Sequence, residues 1–189
     1  MTLRLGLAAA LGLLLAGCGT PPLRTAVPVL AAGERIPSAF ASVEVLEVSL
    51  PEYANEDAVF VQGEGGAIAP LAGTRWADRP SRAFTLDLTQ ALAELTGATV
   101  APARWPFDTP PEAQVDVRLA EAVADLVRGE YVLRGQTFVA ARDGSGRDRS
   151  RAFRVAVPLP PEGGVNAIAA ARAQATVLLA REIAATGLR

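Results

Sequence analysis

The chain has 189 residues, half of them hydrophobic, with 18 Arg, no Lys, no His, 20 acidic residues and one Cys. Length and apolar content fit one folded domain with a tail, and argue against a wholly disordered chain. Lack of His excludes Ser-His-Asp and Cys-His catalysis and His-bound zinc. The lone Cys excludes an intrachain disulfide framework, and a formal charge of −2 makes no electrostatic case for nucleic acid.

Met1–Arg4 carries one positive charge, and Leu5–Ala16 (LGLAAALGLLLA) follows without a polar side chain. As a helix those twelve residues would span about 18 Å, short of the roughly 30 Å hydrocarbon core of a bilayer. A charged start, a short apolar run and small residues are the pattern of a secretory signal peptide, here residues 1–17; a buried N-terminal core helix is the alternative. Leu15-Ala16-Gly17-Cys18 resembles the bacterial lipobox. That resemblance implies diacylglyceryl transfer to the Cys18 thiol, cleavage between Gly17 and Cys18, and acylation of the new amine. Removing 17 of the 189 residues would leave 172. Two acyl chains already suffice for stable anchoring, at about 0.8 kcal/mol per buried CH₂. Gly19 after the Cys is similar to an outer-membrane sorting address, which would face the domain to the periplasm.

Residues 18–40 read as the lipidated Cys and a tether. Pro21, Pro22, Pro28 and Pro37 fall in this stretch, and each fixes φ and removes an amide donor. The segment Val27–Leu30 can lie against the domain, which is expected over residues 41–189. Ser42–Leu50 (SVEVLEVSL) is rich in β-branched residues and slips phase near Leu46, which predicts a strand with a bulge or with both faces buried. Ala58–Gln62 is a second strand, with Ala67–Leu71 as its hairpin partner across Gly63–Gly66. The glycines make no phosphate loop, since no Lys follows them.

Ser81–Leu95 fits a helix with Phe84, Leu88, Ala91, Leu92 and Leu95 on one face, Ser81 as N-cap and Gly97 as stop. Val115–Leu119, Tyr131–Ala141 and Phe153–Leu159 read as strands, the last with strict alternation. A final helix is expected over about 166–185 with Asn166 as N-cap and Ile168, Ala171, Ala175, Leu178, Leu179 and Ile183 as its apolar stripe. The order predicts an α/β single domain, a mixed and mostly antiparallel β-sheet packed by two long α-helices.

Catalytic and metal-binding patterns are missing, and no cofactor is expected. Glu52, Glu56 and Asp57 have no proton-transfer partner and read as a solvated loop. Arg142, Arg147, Arg149 and Arg151 with Asp143 and Asp148 form a charged hairpin tip. It is either a solvated turn or, through Arg147 and Arg149, a contact for lipid phosphates or an acidic partner. Arg75 and Trp76, just before the first helix, are the other candidate contact, with core packing the more common outcome for Trp76. Trp105 and Phe107 sit in a proline-bounded loop expected to cover one end of the sheet.

Taken in order, these motifs resemble the ABC-type transport auxiliary lipoproteins, the PqiC-like group. The resemblance rests on the lipobox at Cys18, VEVLEVSLPEY at 43–53, AGTRWADRP at 72–80, FDTP at 107–110, RAFRVAVPLP at 151–160 and GGVNAIAAARAQATVLLAREIA at 163–184. It implies a non-enzymatic lipoprotein of the cell envelope, an accessory and docking component of a phospholipid transporter of the MCE (mammalian cell entry) type. Its partners would be the membrane, through Cys18, and the periplasmic MCE-domain protein, with homo-oligomers compatible. The alternative is a structural outer-membrane assembly lipoprotein unrelated to lipid transport.

Overall fold

In the computed structural model, which describes residues 22–189, the chain builds one eight-stranded mixed sheet with helices on one face. The leader 1–17, Gly17 and Cys18 lie outside the described residues. The elements are β1 (Leu23–Thr25), β2 (Ser42–Val45), a single helical turn α1 (Glu52–Asn55), β3 (Ala58–Gln62) and β4 (Ile68–Trp76). Then follow α2 (Pro80–Thr96), β5 (Thr99–Pro102), β6 (Ala113–Asp125), β7 (Glu130–Ala141), β8 (Arg149–Pro158) and α3 (Gly164–Thr186). The α/β class, the mixed sheet and the two long helices agree with the sequence reading. The long antiparallel ladders β6–β7 and β7–β8 carry most of the pairing.

Strand β6 is the spine. Its one edge pairs with β7 along its whole length, and its other edge is shared by β2 and β3, both parallel to it. Ser42–Leu50 therefore does not run as one strand. The ladder stops at Val45 and continues only through Leu46 N–H to the Val115 carbonyl, Ser49 N–H to the Val117 carbonyl and a bridge at Ser49. Pro51 then turns the chain outward into α1. The phase slip at Leu46 marks this departure. Tyr53, on α1, stands in for the missing strand, its hydroxyl accepting the Ala122 amide at 3.2 Å.

Opposite the break, β6 carries a bulge between Leu119 and Glu121. Gly135 of β7 faces it so closely that a Cβ there would sit 2.1 Å from the Arg118 carbonyl oxygen. Gly135→Ala should force the ladder apart and cost about 2–3 kcal/mol, measurable as a lower urea midpoint with an unchanged slope. An unchanged midpoint would show that the bulge yields freely.

Helix α2 buries Phe84, Leu88, Ala91, Leu92 and Leu95, the expected face, and Gly97 ends it with φ 68°. Its start differs from expectation. Pro80, whose fixed φ suits the first helical position, opens the helix, and Ser81 lies inside it with its hydroxyl donating to the Glu47 carboxylate at 2.8 Å. Helix α3 begins at Gly164, so Asn166 is interior and not a cap. Ile168, Ala171, Ala175, Leu179 and Ile183 are buried as expected; Leu178 is exposed, because Ala175 and Leu179 already fill the seam.

The proline-rich stretch before β2 is laid on the domain from Leu23 onward. Strand β1 pairs in parallel with β4 at the sheet edge. The chain then straps across the helix layer. Ala32 N–H donates to the Glu94 carboxylate, Ile36 N–H to the Leu95 carbonyl and Ala39 N–H to the Leu188 carbonyl, while Ala32 and Phe40 are buried. Lacking donors of their own, the prolines leave this segment no sheet to form, and its remaining amides find helix-end acceptors instead. Strand β5, for which the sequence pattern names no element, pairs in parallel with β2.

Candidate functional site

The sheet's two faces differ chemically. On β6, Ala113, Val115, Val117 and Leu119 are buried beneath the helices, while Gln114, Asp116 and Arg118 point the other way. That open face is a lattice of opposite charges. Arg118 pairs with Asp116 at 2.7 Å, Arg134 with Glu121 at 2.8 Å and Arg154 with Glu130 at 2.5 Å. The three guanidinium groups are about half exposed and edge a shallow recess of about 550 Å³ over Gly135. Each arginine already has its carboxylate, so the lattice contributes little to stability. What it offers is a flat, polar, solvated surface.

Beneath the other face lies a group that sequence reading missed. Arg172 of α3 is 1 % exposed. Its guanidinium stacks 4.1 Å from the Phe84 ring centre and 4.6 Å from that of Trp76. Its Nη2 donates to the Pro80 carbonyl at 3.3 Å, and Nε has no partner. Among the described residues no carboxylate reaches salt-bridge distance of it. Burial pulls its pKa below the ordinary arginine value, and the neighbouring Tyr131, Asp87 and Asp78 push back. Two aromatic faces thus hold a cation that would otherwise be stranded. A cavity of about 190 Å³ opens beside it, bounded by Thr25–Val27, Trp76–Asp78, Ala83, Leu86 and Asp87. The signal was present in the sequence: Arg172 stands four residues after Ile168 and three before Ala175, on the buried stripe of α3.

Around this pair the segment Arg75–Pro80 acts as a joint between sheet and helix. Trp76 is 6 % exposed, in the core. Arg75 is half-buried and pairs with Asp57, Asp78 pairs with Arg82 and caps the Arg79 amide, and Arg79 pairs with Glu47 at 2.9 Å. Burial raises Asp87, with the Arg172 charge opposing. Burial also pushes the Tyr131 phenol up to about 12. An unfolded tyrosine titrates near about 10, so stability should hold to about pH 10 and fall between pH 10 and 12, by on the order of 2–3 kcal/mol. Tyr131→Phe should remove most of that fall in thermal melts taken across the range; an equal fall in the variant would assign it elsewhere.

The remaining candidates are not brought together with these. Arg147 and Arg149 belong to the β7–β8 tip, on the opposite flank of β6 from Arg75. Arg147 lies 4.7 Å over the Phe40 ring and pairs with Asp143 at 2.8 Å, and Arg149 donates to the Asp148 carbonyl. Hydrogen bonds from Ser145, then Arg147, hold the Asp143 carboxyl near 2. Trp105 donates to the Thr109 carbonyl and packs edge-on with Phe107. Among the described residues no group of three potential ligands could hold a metal ion, and no helix is long and apolar enough to cross a membrane.

A mixed sheet with helices on one face, a charged open face and a segment strapped over the helices from Leu23 onward defines a single α/β domain. The chain belongs to the ABC-type transport auxiliary lipoprotein component family, whose model matches residues 23–184. Its fold is shared by protein XCC0632 from Xanthomonas campestris, of the DUF330 family. The match has a TM-score of 0.69 and 16% identity over 88% of this chain and 95% of that one. A second crystal structure, of an uncharacterized protein, aligns with a TM-score of 0.63 and 17% identity over 85% of this chain and 99% of that one. No curated protein matches the chain by sequence.

Proposed function

We propose that this protein is a non-enzymatic accessory lipoprotein of an MCE-type ABC phospholipid transport system, acylated at Cys18 and docking the periplasmic MCE-domain protein at the outer membrane. The observation that carries this reading is membership, over residues 23–184, in a family of transport auxiliary lipoproteins. The lipobox ending at Cys18 and the Gly19 that follows support the anchor and its membrane. The domain, read as residues 41–189 with residues 18–40 leading into it, supplies surfaces. Half-buried Arg75 and Arg147 and exposed Arg149 offer contact to acidic groups of the partner, and Trp76 acts by packing the joint behind Arg75. Homo-oligomers are compatible with this role.

Purification of the tagged full chain from native envelopes in mild detergent tests the reading. Recovery of an MCE-domain protein with its permease and ATPase is the expected result. Recovery of outer-membrane assembly components alone would replace transport by the structural alternative.

A further inference from the structure

The two ends of the sheet differ in character. At one end stand the β3–β4 turn, the β6–β7 turn and the chain leaving β8, brought level by Gln62↔Ile68, Gln62↔Asp125 and Glu130↔Pro158. This end carries Leu126 at 54 % exposure, Val127 at 63 % and Ile68 at 40 %, with exposed Pro160 and Pro161 beside them. The other end carries the Arg- and Asp-rich tip between β7 and β8.

The β6–β7 turn is built to leave water. The buried Asp125 carboxylate accepts the amides of both Val127 and Arg128, at 3.0 and 2.9 Å. Leu126 N–H donates to the Gln62 carbonyl and Leu159 N–H to the Gly129 carbonyl. With these donors already satisfied inside the protein, entry of the tip into an apolar boundary strands few backbone groups. Arg128, 65 % exposed on its side chain, stands next to the two apolar residues and is long enough to keep its charge among phosphates.

Chain length says which end the anchor can reach. Leu23 pairs with Thr74, and through Arg75↔Ala58 and Val61↔Ala124 that is the level of residues 121–122 on β6. Because β1 runs parallel to β4, the chain enters from the side of Ile68. Five Cα–Cα steps lead from Cys18 to Leu23, a reach of at most about 18 Å. Measured along β6 from the level of Leu23, the apolar end, at Asp125 beside Ile68, is three to four residues away, about 10–13 Å, and the charged end, at Ala113, is eight to nine, about 27–30 Å. A lipid at Cys18 can therefore approach the apolar end and falls short of the charged one.

Resting on acylation of Cys18, we infer that this end is seated on the bilayer, with Leu126 and Val127 in the headgroup–acyl boundary and Arg128 at lipid phosphates. This second, non-covalent contact points the charged tip away from the membrane.

Acylated Cys18 has no free thiol, so Val127→Cys and, at the other end, Ser145→Cys each introduce one reactive site in the full lipidated chain. Each would carry a nitrobenzoxadiazole label in phosphatidylethanolamine–phosphatidylglycerol vesicles. A blue shift at 127 with quenching by headgroup-level spin-labelled lipid, and neither at 145, is the expected result. A chain that floats with vesicles while the label at 127 stays in water overturns the seated end and spares the anchor. A blue shift at 127 without lipid quenching overturns it in favour of a protein cover. A chain that does not float overturns the anchor and the seated end together.

Discussion

Replacing Cys18 by Ser should abolish lipid attachment completely and leave residues 1–17 on the chain. A hydroxyl at residue 18 is a far weaker nucleophile than a thiol, and the chain holds no second Cys to take its place. The effect is all-or-none because cleavage before residue 18 follows lipid transfer in the chemistry that the lipobox resembles. Intact mass spectrometry of the purified protein separates the outcomes. The wild-type chain should begin at Cys18 and carry lipid mass; the variant should retain Met1 or Thr2 and carry none. A variant trimmed at the same bond would show that an ordinary signal peptidase acts here and that the small residues before Cys18 serve a different enzyme. The domain itself should fold unchanged, since its first strand begins at Leu23.

Trp76→Ala should be the most damaging single change in the folded domain, at about 3–5 kcal/mol. Two losses combine. The indole leaves a cavity next to the one already present beside Asp78 and Asp87, and Arg172 loses one of the two aromatic faces that hold its charge. The pair can be dissected. Arg172→Met keeps the volume of the side chain while removing a buried cation with an unpartnered Nε. It should leave stability within about 1 kcal/mol of wild type or raise it, as with other buried charges replaced by apolar side chains. In the Arg172→Met background, Trp76→Ala should then cost less, the difference measuring the cation–aromatic coupling at about 1–2 kcal/mol. Urea denaturation of the four proteins checks this. Strict additivity would mean that Trp76 acts through packing alone and that the stacking is incidental.

The sequence was most legible where one physical rule acts alone. Strict alternation at Phe153–Leu159 and the repeating face of α2 from Phe84 to Leu95 each reflect a single buried side. Legibility failed where tertiary contacts replaced local preference. Strand β5 holds four residues and pairs only at the edge of β2, too short for periodicity to register. Ser81 has the chemistry of a cap, but Pro80 before it takes the first helical position and the Ser81 hydroxyl turns to Glu47. Arg172 was hidden by its own charge: hydropathy assigns it to water, and only the faces of Trp76 and Phe84, brought from other elements, make its burial tolerable. The candidate contacts Arg75, Arg147 and Arg149 were legible as charged residues at turns and joints, while their separation across β6 depends on strand order, which no local pattern encodes.

The parallel pairing of β1 with β4 has a mechanical consequence. A tug on the N-terminus directed toward the Ile68 end acts along the strand axis, so the short β1–β4 ladder is loaded in shear and its bonds must break together. Behind it, the strap is tied to the ends of α2 and α3 by Ala32, Ile36 and Ala39. Tension that enters at the edge strand is thereby handed to both long helices. The domain resists as one body, so the acyl anchor proposed at Cys18 would pass its load to the whole domain without first unravelling its own attachment.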